Sequence, residues 1–185
     1  MNTDKLTTAA RTLALAFGAF AFASGVQAAG DKNAYNQAKA SAKATYETAK
    51  TQCDAMKDNA KDICIAEAKA ARTRSEVEAE ATYKGTPKAR QHAVDEIAEA
   101  DYKVAKERCD DKTGNDKDVC VKVAKAAMVK AKADAKSSRV STDAKVDASK
   151  DKREADYKVA AEKCDAMSGD AKSACVKQAK AKYGM

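Results

Sequence analysis

The sequence predicts an all-α protein of about six helices, arranged as three disulfide-stapled αα-hairpin repeats in a bundle or an extended rod. Three observations carry this. Ala and Lys dominate a chain with only 7 Gly and 1 Pro in 185 residues, and their intrinsic preference is helical. A C-x10-C pattern occurs three times, at Cys53 and Cys64, Cys109 and Cys120, and Cys164 and Cys175. Small and aromatic residues flank each pair at steps of three and four, the spacing of one helical face.

The same composition excludes a large core. Every Leu (Leu6, Leu13, Leu15) and every Phe (Phe17, Phe20, Phe22) lies in the first 22 residues, and there is no Trp. Beyond residue 28, Val and Ile supply 14 of 157 residues, about 9% and well below the floor of roughly 20% for Leu, Ile, Val and Phe in ordinary folded domains. Ala fills 36 of those positions, and each adds little buried area. Such a chain builds no deep apolar pocket and needs covalent staples.

The N-terminus reads as a secretory signal peptide over residues 1–28. Lys5 and Arg11 give a basic start, Leu13 to Ala23 is an apolar run, and Val26-Gln27-Ala28 suits cleavage before Ala29. As a retained helix, Thr12 to Gly25 would span about 21 Å against roughly 30 Å of hydrocarbon, too short for an anchor. With no second apolar segment, no integral membrane segment is expected after cleavage. Export to the periplasm, or secretion beyond it, suits six cysteines in a core-poor chain, because an oxidising compartment lets disulfides form.

Residues 29–84 form the first repeat, 85–139 the second and 140–185 the third. Each has Tyr seven residues before the first Cys (Tyr46, Tyr102, Tyr157), Asp directly after it (Asp54, Asp110, Asp165), and the second Cys eleven residues on. In one unbroken helix, eleven residues span about 16.5 Å, whereas a disulfide needs Cα atoms within about 7 Å. A bridge within a repeat therefore demands a reversal of the chain between its cysteines. Gly114-Asn115, Gly169-Asp170 and the aligned Asp58-Asn59 supply the turns: Gly suits the left-handed position ending a helix, and Asn or Asp suits the next N-cap. Six cysteines allow 15 pairings, of which the repeat favours the one within each copy: Cys53–Cys64, Cys109–Cys120 and Cys164–Cys175. The three Asp that follow the first cysteines read as makers of local turn hydrogen bonds.

The apolar pattern mirrors itself about each tip. Ala49, Ala105 and Ala160 stand four residues before the first Cys, and Ala68, Ala124 and Ala179 four after the second. Ala71 and Ala127 continue it at seven, where the third copy has Lys182. Between repeats, Gly85-Thr86-Pro87 is a strong break, with Thr as N-cap and Pro at the first helical position. Its counterpart Val140-Ser141-Thr142 lacks Gly and Pro, so the helix either turns near 137–142 or runs through.

Chemistry-bearing constellations are scarce. His92 is the single His and follows Arg90-Gln91 without a nucleophile motif around it, so no catalytic residues are assigned and no enzyme is expected. Zinc sites favour closely spaced Cys pairs with a second pair or His nearby; C-x10-C does not fit, and no metal or cofactor is expected. The tyrosines share the face of the cysteines and read as core, not as stacking platforms for nucleic acid. Glu99 with Lys103 and Glu154 with Lys158 read as i,i+4 helix pairs. The one candidate binding surface is a basic stripe of Lys122, Lys125, Lys132, Lys136 and Arg139, which could hold an anionic envelope polymer. Beyond residue 28 the net charge is +6, which allows anionic partners.

Asp-Tyr-Lys-Val-Ala at 101–105 and 156–160, the C-x10-C repeats, the leader and the Ala/Lys-rich helices together resemble small exported proteobacterial proteins described as TolA-like cell-envelope biogenesis proteins. That resemblance implies a periplasmic, helical protein and carries over no active-site residue. The function expected is a non-catalytic structural, scaffolding or interaction role in the cell envelope, with an envelope protein or polymer as partner. The competing expectation is a chaperone-like or anionic-polymer-binding hairpin protein.

Overall fold

The computed structural model describes residues 30–185; the leader assigned to residues 1–28 lies outside them. Five helices make up this part: α1 Lys32–Cys53, α2 Asp58–Lys84, α3 Pro87–Cys109, α4 Gly114–Cys164 and α5 Gly169–Tyr183. The fold is all-α, with one disulfide at each of three hairpin tips. Among the described residues the count is five and not six, because the second inter-repeat break does not form. Residues 137–142 are helical, so the repeat boundary at 139/140 falls inside α4.

Local chemistry explains where the helices begin and end. Asp31 caps α1, its carboxylate accepting from Asn33 N–H at 2.9 Å. Gly85, at φ 63°, closes α2 in the left-handed conformation, and Thr86 opens α3, its hydroxyl accepting from Ala89 N–H at 3.1 Å, with Pro87 in the first helical turn. The tips use a different device. Lys57, Thr113 and Ser168 are extended N-caps without a side-chain cap bond. Each is followed by a positive-φ residue that begins the returning helix: Asp58 at 51°, Gly114 at 53° and Gly169 at 57°. The left-handed residue thus starts the second helix instead of ending the first. The expected caps Asn59, Asn115 and Asp170 fall inside the helices.

Packing is strictly sequential. α1 packs on α2, α2 on α3, α3 on α4 and α4 on α5, and no other pair of described helices approaches closely. The helices form an open antiparallel layer, not a closed bundle. The first two tips lie at one end, joined by Asn59, whose Nδ2 donates to the Glu107 carbonyl at 3.1 Å and to Asp111 Oδ1 at 2.6 Å. From there α4, 51 residues long and about 76 Å at helical rise, passes α3, about 34 Å for its 23 residues. Arg139 meets Gln91 near the start of α3, and α4 then continues past it. Residues 144–153 are exposed on every side. α5 folds back along the far end of α4, so the third tip lies opposite the other two.

The buried core is nine Ala, three Cys and Val104. On α1 the inward residues are Tyr35, Ala38, Ala42, Tyr46, Ala49 and Cys53, steps of three and four along one face. Small side chains allow close approach of the backbones, and tyrosines fill the wider ends of the seam. Tyr35 stacks on Tyr83 with centroids 5.1 Å apart, while Arg72 lies 5.5 Å from the Tyr46 ring centre. The mirror pattern departs from its expected form one turn out. Ala71, Ala127 and Lys182 are exposed, and the next residues, Arg72, Met128 and Tyr183, turn inward instead.

Candidate functional site

The most regular chemical feature is the hairpin tip. Cα atoms of the paired cysteines stand 5.6, 5.7 and 5.7 Å apart, within disulfide range. The first sulfur-bearing residue of each pair is at most 1% exposed. Across each tip the Asp after the first Cys pairs with a Lys on the returning helix: Asp54 with Lys61 at 2.9 Å, Asp110 with Lys117 at 3.0 Å, and Asp165 with Lys172 at 2.9 Å. These carboxylates therefore reach across the hairpin, where local turn bonds were expected. The Lys61 ammonium, by hydrogen bond and by charge, holds the Asp54 carboxyl below the usual carboxylate range. The signal was present in the sequence: all three repeats read Cys-Asp with Lys seven residues after the Asp. Hairpin geometry was needed to see that the two residues face each other.

The basic stripe divides in the folded chain. Lys132 and Arg139 turn into the α3–α4 seam, where Lys132 pairs with Glu99, and Arg139 donates to Gln91 and bonds Asp143 at 2.6 Å. Glu99 thus reaches Lys132 on the neighbouring helix, not Lys103 on its own. The Lys132 ammonium lowers the Glu99 carboxyl from its ordinary value, while Glu99 first, and then Asp95 and Glu96 by charge, raise Lys132. Asp95 accepts from Gln91 Nε2 at 3.2 Å through one oxygen, and its other oxygen is buried without a partner. Lys122, Lys125 and Lys136 remain exposed and make no ion pair among the described residues. The five residues do not act as one surface. Glu154 does pair with Lys158 as expected, at 3.0 Å.

His92 is exposed on α3. Among the described residues no three His, Cys, Asp or Glu side chains converge as a metal site, and every cysteine there is in a disulfide. No helix among them is long and apolar enough to cross a membrane. Two concavities stand out. One, between α1 and α2, is bounded by Tyr46 and Arg72. The other is an open groove along α4 past Ala133, Ser137, Val140 and Ala144. Neither brings together a nucleophile, a base and an oxyanion donor; what this surface offers chemically is salt-sensitive charge and exposed helix faces. The chain matches no protein-family model, no curated protein and no solved structure.

Proposed function

We propose that the protein is an exported, non-catalytic cell-envelope factor whose role is structural: a disulfide-hardened helical scaffold that presents long helix faces to partners. The supporting observation is the tip, built three times from a buried disulfide and an Asp–Lys bridge on a layer whose core beyond the cysteines is Ala and a single Val. Such a layer depends on oxidation for its stability and presents surface, not a cavity. Placing residues 1–28 before a reporter that is active only after export tests the address, and mapping disulfides in protein from envelope fractions tests the state. Export with three sequential disulfides is expected. A reporter retained inside, or reduced thiols in the native protein, overturns the reading.

A second reading has its own observation, the exposed Lys122, Lys125 and Lys136 on α4, which make no ion pair among the described residues. These suit an anionic envelope polymer. Reversing the three to Glu should abolish retention on polyanion at low salt, while reversing exposed Lys43, Lys69 and Lys88 should only weaken it; equal losses would indicate diffuse charge.

A further inference from the structure

The internal repeat relates the α2–α3 seam to two surfaces that cannot meet within one chain. Advancing α2 by 56 residues, which takes Cys64 to Cys120, lays it on the first half of α4. Advancing α3 by 55, which takes Cys109 to Cys164, lays it on the second half. α2 and α3 touch through two apolar clusters, one containing Ala70, Ala100 and Val104, the other Ala81, Ala89 and Ala93 with Val77 against them. Arg74 and Asp101 close the same seam with an ion pair at 2.9 Å.

On α4, the counterparts of Ala70, Val77 and Ala81 are Ala126, Ala133 and Ser137. Those of Ala89, Ala93, Ala100 and Val104 are Ala144, Ala148, Ala155 and Val159, and the ion pair maps to Lys130 and Asp156. Every one of these α4 residues is exposed. Lys130 and Asp156 lie 26 residues apart on one helix, roughly 39 Å, so they do not meet in one copy. Steps of seven and four keep the apolar counterparts on a single face of α4, opposite the one covered by α3. Val129, Val140 and Val159 on that face are 54%, 50% and 57% exposed.

We propose that this face is the seam of an antiparallel homodimer, in which the second half of α4 in each copy packs on the first half of α4 in the other. The α2–α3 register, carried over, sets Ser137 of one copy against Ala144 of the second, Ala133 against Ala148, and Ala126 against Ala155. The two-fold axis crosses at Val140 and Ser141. That is the position where the third repeat would have turned back. Gly85-Thr86-Pro87 lets α3 fold onto α2, whereas Val140-Ser141-Thr142 runs on and carries the third hairpin past its own seam. A second copy supplies the missing surface, the exchange known from domain swapping. The interface is self-complementary in charge as well, bringing Lys130 to Asp156 twice. Two positions are more polar than in the parent seam: Lys122 for Ala66 and Ser137 for Ala81. The dimer is therefore weaker than the α2–α3 contact.

Sedimentation equilibrium of the oxidised protein over a range of concentrations, with circular dichroism on each variant, tests this. A reversible dimer is expected. Ala133→Glu with Ala148→Glu opposes like charges across the seam and should weaken dimerisation about a hundredfold with helicity unchanged, since both sites are exposed and Glu is a good helix former. Lys130→Glu or Asp156→Lys alone should weaken it, and the two together should restore it. A chain that stays monomeric at its highest soluble concentration overturns the proposal. So does a dimer indifferent to the Glu pair, which would place the contact elsewhere. A charge exchange that fails to restore association rejects the register.

Discussion

Asp58 occupies, at the first tip, the left-handed backbone that Gly114 and Gly169 occupy at the other two. A Cβ at either glycine would meet nothing within 4 Å, so the demand there is conformational, not steric. Gly114→Ala should therefore cost about 1 kcal/mol, the usual penalty for an L-residue in this region. Asp58→Gly should change stability by less than about 0.5 kcal/mol, because relief of the backbone and added unfolded-chain entropy oppose each other. Urea midpoints of the oxidised protein decide both.

Charge at single residues sets the acid behaviour. Asp54, Glu80, Glu99 and Glu154 are each lowered by a hydrogen-bonded Lys: Lys61, Lys84, Lys132 and Lys158 respectively. Their contribution to stability is complete above the ordinary carboxylate range and disappears as pH falls through the lowered values. Melting temperature should accordingly hold from neutral pH to the top of that range and drop below it, with Glu99→Gln flattening the drop while lowering stability at neutral pH. A decline already under way between pH 7 and 6 would contradict these pairs. At this scale the cysteine pairing was legible because the C-x10-C spacing recurs three times with turn residues at its midpoint. The fate of Lys132 and Arg139 was not, since a stripe on an isolated helix does not reveal which neighbour covers it.

At the scale of an element, α4 is where the repeat departs from itself. The turn at Gly85-Thr86-Pro87 and the helix through Val140-Ser141-Thr142 occupy equivalent positions, and the difference lies in three residues. Val140→Gly, Ser141→Thr and Thr142→Pro together install the turn. Pro inside a helix costs about 3 kcal/mol, so α4 should break there, with lower helicity and a smaller radius by X-ray scattering as the third hairpin folds onto the first half of α4. Unchanged dimensions would show that more than these three residues holds α4 straight. Helix existence and the Gly85 break could be read from propensity and caps. The run-through was not legible, because Ser and Thr favour helix starts yet enter helix interiors at modest cost, and neither compels a break as Gly and Pro do. The exchange of Ala71 for Arg72 on the inner face has the same origin: at 3.6 residues per turn, steps of three and four drift, and only the neighbouring helix fixes which residue faces in.

At the scale of the whole layer, contacts among the described helices link neighbours only, so stability is a sum over hairpins and seams. Replacing Cys109 and Cys120 by Ser removes a closure worth about 3 kcal/mol in the chain-entropy model. Hydrogen exchange should accelerate in the second hairpin, 87–139, while the first and third keep their protection. Uniform loss across all three would mean that the layer unfolds as one unit. The open layer itself was not legible, because Ala-rich faces at helical spacing suit a closed bundle equally well, and the choice turns on α4 carrying the last hairpin away from the first.

The sequential pairing of cysteines has a consequence for how the protein matures. Each first Cys bonds the very next one along the chain, eleven residues later, so the native pattern coincides with the order in which thiols emerge during synthesis or threading through a channel. At every stage the only earlier thiol still unpaired is the right one. A simple oxidant, acting as the chain appears, would leave nothing to reshuffle, and maturation would require no catalyst of disulfide exchange.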